Sequence, residues 1–138
     1  MATVELRFSA LPEHVRTARL VAAAVARRAG VDEAVLDEVR LAVGEACTRA
    51  VGLHQSGGID APVEVRLIEE EKQFSIVVGD EAPRVGSASD ASAESAESED
   101  EMGLAVISGL VDDVEVTAGE AGGSIRMTWP TAAASAAG

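Results

Sequence analysis

A chain of 138 residues that is 47% apolar is long enough for one domain with a packed core. A net charge of −13 argues against nucleic acid or an anionic membrane as partner, because phosphate binding needs a basic surface. The single cysteine, Cys47, excludes an internal disulfide framework, and no apolar run approaches the roughly 18 residues of a membrane span. The N-terminus has no basic stretch followed by an apolar one, so a cytoplasmic location is expected. The only aromatic residues are Phe8, Phe74 and Trp129, which leaves the core to Val, Leu, Ile and Ala.

Thr3-Val4-Glu5-Leu6-Arg7-Phe8 alternates polar and apolar residues, the period of a half-buried strand. Pro12 opens a helix, since proline is tolerated in a first turn. Val15, Ala18, Leu20, Val21, Ala24 and Val25 supply its apolar stripe, and Gly30 is its C-cap. Asp32 is placed to cap a second helix, with Glu33 suited to the N-terminal dipole. That helix is expected to run to about Gly52, with Gly57-Gly58 in the loop beyond it.

Val63–Ile68 and Phe74–Val78 read as a hairpin joined through the polar segment Glu69–Gln73. After Val85 the chain is almost wholly Ser, Ala, Glu, Asp and Gly up to Glu101, a composition that predicts a mobile loop. Met102–Val111 is apolar enough for a short helix, and Val114–Thr117 and Ser124–Trp129 form a last hairpin across Gly119–Gly123. From Pro130 the chain is an alanine-rich tail. The order predicts an α/β two-layer sandwich, with helices on one face of a mixed, mostly antiparallel sheet. One domain over residues 1–130 would then carry an acidic loop over 84–101, followed by a tail over 131–138.

The second helix holds the main conflict between pattern and residue type. Glu45 and Arg49 lie four residues apart, and so on one face, in a run that otherwise reads as core. An acidic residue four before a basic one is the favourable orientation for an ion pair, which would lower the basicity of the carboxylate. Glu45 is thus either half of a structural pair or a base. Asp80, at the end of a strand, either caps the next turn or contacts a ligand. Cys47 reads as a small core residue. His14 and His54 have no metal-ligand spacing around them.

The element order and three local motifs resemble the Bergerat-type, histidine-kinase-like ATPase domain of the anti-sigma-factor serine kinases, over nearly the whole chain. The family's first box reads Glu-Ala-Cys-Thr-Asn-Ala-Val, followed shortly by His. Here it is Glu45-Ala46-Cys47-Thr48-Arg49-Ala50-Val51, with Leu53 at the histidine position and His54 one place late. The resemblance implies that Glu45 is the general base toward a substrate hydroxyl. It also sets Arg49 where the family has its magnesium-ligating asparagine, and a guanidinium offers no acceptor to a cation.

In the second box, Asp-x-Gly-x-Gly, the aspartate receives the adenine amino group. Asp80 is retained, but Ala82 and Arg84 stand at the glycine positions with Pro83 between them. A β-carbon there is a penalty wherever φ must be positive. The third box, a lid of the form Arg-x-Gly-Met-Gly, reads Glu99-Asp100-Glu101-Met102-Gly103, so Gly103 remains of its glycines. The carboxylates of Glu94, Glu97, Glu99, Asp100 and Glu101 would repel a triphosphate, although a regulatory lid is a second reading of this segment.

An intact scaffold beside three altered boxes points to an anti-sigma-factor-like regulatory protein without kinase activity and with no cofactor. Its expected partner is an anti-anti-sigma factor of the STAS type or a sigma factor, and the resemblance adds a homodimer as an option. The competing expectation is an active ATP- and Mg²⁺-dependent protein serine/threonine kinase, with Glu45 as base and Asp80 reading adenine. A third is a different small ligand in the remodelled pocket.

Overall fold

The computed structural model describes residues 2–82, 104–111 and 113–131. The expected acidic loop at 84–101, Gly103 and the tail after Thr131 lie outside the described residues. Strand β1 (Ala2–Phe8) leads into helix α1 (Glu13–Ala29), a 3₁₀ turn (Glu33–Val35) and helix α2 (Leu36–Gly57). Strands β2 (Val63–Glu69) and β3 (Gln73–Asp80) follow, then a short helix α3 over residues 104–110. Strands β4 (Asp113–Gly119) and β5 (Gly122–Pro130) complete the sheet.

The five strands lie in the order β1-β2-β3-β5-β4, and every neighbouring pair is antiparallel. Strand alternation sorts side chains by face. Val63, Val65 and Leu67 of β2, Phe74, Ile76 and Val78 of β3, and Ile125, Met127 and Trp129 of β5 are all buried beneath the helices. Register aligns them in rows, such as Leu67 beside Ile76 beside Met127. Ile107 and Val111 add the contribution of α3.

The apolar stripe of α1 differs from expectation. The buried positions are Val15, Ala18, Ala22, Ala23 and Ala26, whereas Ala24 is exposed and Leu20 is 58% exposed. The alanine seam faces α2, whose Ala42, Ala46 and Ala50 are buried in turn. Small side chains let the two helices approach closely, and the larger Leu20 is turned outward.

The second helix is longer than expected. It continues past Gly52 to Gly57 and is capped at Gly58. Gly52 is exposed with nothing near its missing β-carbon, so it costs only helix propensity, roughly 1 kcal/mol. The extra turn buries His54, which offsets that cost. Asp32 does act as a cap, but for the 3₁₀ turn that feeds α2, accepting the Ala34 N–H at 3.0 Å. At the other end of the domain, Thr131 is buried and its N–H donates to the Lys72 carbonyl, which ties the chain after β5 to the turn between β2 and β3.

Candidate functional site

Helix α2 sends Glu45, Arg49 and His54 to three different places. The expected pair between Glu45 and Arg49 is not formed. Arg49 instead reaches across to the end of β3, where its Nη1 stands 3.9 Å from Asp80 Oδ2. The two side chains are only 5% and 1% exposed. Burial explains the choice of partner. An exposed i,i+4 pair contributes about 0.3–0.5 kcal/mol, whereas a buried carboxylate without a counter-charge is far more costly. Glu45 is half-buried and faces the groove between α1 and α2, with no ion-pair partner among the described residues.

Asp80 is held on every side. Its Oδ1 accepts the Ala82 N–H at 3.0 Å while its Oδ2 faces Arg49. Ala82 is buried and carries no positive φ, nor does any other described non-glycine residue, so the β-carbon penalty expected at this position does not arise. The close approach comes instead from β5. Gly122 has φ +124°, and a β-carbon on it would lie 2.1 Å from the Asp80 carbonyl oxygen. Pro83, Arg84 and Gly103 are outside the described residues.

His54 is the residue that sequence reasoning passed over. It is fully buried, and its Nδ1 donates to the Ala61 carbonyl at 2.9 Å. Its Nε2 accepts the Glu81 N–H, also at 2.9 Å, and these partners assign the neutral Nδ1–H tautomer. The ring thus ties the end of α2 to the backbone just after Asp80. The available signal was its spacing of three and four residues from buried Val51 and Ala50, visible only once α2 is known to pass Gly52.

Replacing His54 by alanine should leave a cavity where the buried ring sat and remove the partner of the part-buried Glu81 N–H and Ala61 carbonyl. The expected loss is about 3 kcal/mol, or roughly 10 °C in Tm. Thermal denaturation followed by circular dichroism checks this, with His14→Ala as the partly exposed control. A His54→Ala protein melting within a few degrees of wild type would remove the latch. Cys47 behaves as a core residue: it is fully buried, and loss of solvent pushes its thiol up to about 12, leaving no thiolate at neutral pH.

Residues 8–129 match the family model of the histidine kinase-like ATPase domain. The serine-protein kinase RsbW of Bacillus pumilus is 32% identical over 136 aligned positions, covering 91% of this chain and 83% of that protein. The RsbW of Bacillus velezensis is 28% identical with the same coverage. Among solved structures, the RsbU and RsbW domains of a Mycobacterium tuberculosis protein superpose with a TM-score of 0.69 at 16% identity. That match covers 93% of this chain and 31% of the larger one, and it supports the fold alone. The chain belongs to the histidine kinase-like ATPase domain family, and within it to the RsbW-type anti-sigma-factor kinases.

Proposed function

We propose that this protein acts by binding another regulatory protein in transcriptional control, a STAS-type anti-anti-sigma factor or a sigma factor, without transferring phosphate. The observation that carries the reading is the buried pair between Arg49 and Asp80. The carboxylate that the resemblance would give to adenine has one oxygen on the Ala82 N–H and the other turned toward a guanidinium. For Asp80 to receive an adenine amino group, that pair must open inside a buried site. Breaking such a pair is strongly unfavourable.

The residues present also fit a magnesium–polyphosphate poorly. Arg49 has no acceptor for a cation, and its charge is fixed.

A specific observation keeps a kinase in view. Glu45 retains its carboxylate, half-buried and unpaired among the described residues, and the curated relatives carry the name serine-protein kinase. Calorimetric titration with ATP·Mg²⁺ separates the two readings. The expected result is no saturable heat below about 1 mM, which corresponds to roughly −4 kcal/mol of binding. Micromolar binding that is lost in Asp80→Asn would overturn the proposal and establish the nucleotide site.

A further inference from the structure

We infer that the outer face of the sheet, turned away from the helices, carries a small-molecule site that takes an aromatic monocarboxylate. The site is independent of the partner-binding reading above. A depression of about 490 Å³ opens there, lined by Arg7, Glu64 and Arg66 on one side, by Ser124 on the other, and by Val77 and Gly79 between them. That size falls in the range of small-ligand sites, roughly 300–1,000 Å³.

Strand register brings these residues together. One row across the sheet runs Arg7, Glu64, Gly79, Ser124, and the next places Arg66 beside Val77. Alternation sets Gly79 on the outer face, because Val78 before it lies in the core and Asp80 after it meets Arg49 of α2.

Gly79 is the telling residue. A glycine within a strand weakens it, and it commonly marks a bulge, a close backbone contact or the seat of a ligand. The first two do not apply. The pairing of β3 with β5 runs unbroken through Gly79, and its φ is not positive. An added β-carbon would meet nothing closer than 3.9 Å. The missing side chain therefore serves no packing need of the fold. Its effect is a floor of bare backbone on which a flat group can lie, with Val77 and Pro62 as apolar walls.

The charges select what that group carries. Arg7 Nε stands 3.6 Å from Glu64 Oε2, and Arg66 Nε stands 3.7 Å from Glu64 Oε1. One carboxylate thus lies between two guanidiniums, each beyond hydrogen-bond distance and each approached through Nε. Both arginines are exposed, which leaves their Nη edges open to a second carboxylate, the anion whose geometry fits that fork. Asp80 also lines the depression, but its carboxylate is held by Ala82 and Arg49. Glu64 and Glu81 oppose a multiply charged anion such as phosphate. A single carboxylate on a flat apolar ring meets all of these conditions.

The test titrates benzoate, at constant ionic strength, into the isotope-labelled full chain and follows the backbone amides by NMR. Benzamide supplies the ring without the charge, and inorganic phosphate the charge without the ring. Saturable shifts are expected at Val77, Gly79 and Ser124, with a Kd of about 1 mM. Arg7→Gln and Arg66→Gln should each weaken binding about tenfold, the loss of a charge-assisted hydrogen bond. Gly79→Ala should keep the wild-type melting temperature or raise it, and Gly79→Val should abolish binding by filling the floor. Arg40→Gln on α2 should change nothing.

Equal binding of benzamide or phosphate, indifference to both arginine variants, or full binding by Gly79→Val would each overturn the inference. So would shifts confined to the helix side around Arg49, or no saturation below about 10 mM. Amide shifts at Gly79 that follow protein concentration rather than benzoate would overturn it too, assigning the depression to a second copy of the chain.

Discussion

Replacing Arg49 by methionine is expected to cost about 3–5 kcal/mol of stability, because it leaves the Asp80 carboxylate buried beside an apolar stem. In a domain of this size that corresponds to roughly 10–15 °C in Tm. Asp80→Asn should cost less, since an amide oxygen can still accept the Ala82 N–H while the guanidinium loses its counter-charge. The double variant should recover much of the loss, as replacing both members of a buried pair by neutral groups is often close to neutral. Urea denaturation of the four proteins gives the coupling energy directly, and additive single effects would show that the 3.9 Å contact contributes nothing to the fold. Arg49→Asn adds a functional arm. It puts an acceptor oxygen where the family has its cation ligand, yet Ala82 and the His54 latch still hold the backbone around Asp80. The expected result is a destabilised protein that still does not bind ATP·Mg²⁺ tightly, and tight binding from that single change would return weight to the kinase reading.

The parts of this fold that could be read in advance are those set by local periodicity. The apolar runs Val63–Ile68 and Phe74–Val78 on either side of a polar segment identified both strands; β2 buries alternate side chains, whereas β3 is buried continuously from Phe74 to Val78. Gly30 ended α1 as its spacing suggested, and Asp32 did cap a turn. What could not be read depends on contacts between distant segments. Leu20 looked like core from its neighbours alone, but the seam with α2 is lined by alanines, and only the partner helix decides which face is close-packed.

The candidate site shows the same division more sharply. Glu45, Arg49 and Asp80 were all visible as residues out of keeping with their surroundings. Their partners were not. Spacing along α2 favoured Glu45 for Arg49, yet Asp80, 31 positions away in sequence, is the carboxylate that burial leaves in need of a cation. His54 seemed to stand beyond the end of its helix because Gly52 looked like a terminus, and an exposed glycine is a weak helix breaker. Gly122 read as part of an ordinary hairpin turn, since nothing in its own neighbourhood reveals that β3 ends against it.

That last residue carries the other large effect. Gly122→Ala is expected to destabilise the protein severely, by more than about 3 kcal/mol, combining the cost of an alanine at positive φ with a backbone collision. The new β-carbon would meet the Asp80 carbonyl oxygen at 2.1 Å and Glu81 Cα at 2.8 Å. Neither can retreat cheaply. Asp80 is paired with Gly123 across the β3–β5 ladder, its carboxylate is fixed by Ala82 and Arg49, and the Glu81 N–H is held by His54. Relief must therefore come from fraying the start of β5 or from releasing the residues around Asp80. Gly119→Ala at the other end of the same turn is the control, because nothing lies within 4 Å of its missing β-carbon. It should cost under about 1 kcal/mol. Thermal melts should separate the two variants by roughly 10 °C or more, and hydrogen exchange should show the Gly122→Ala loss first at the amides of Glu81 and Ala82. If the two glycine variants melt together, β3 and β5 do not meet as closely as described, and the restraint on Asp80 from that side disappears with them.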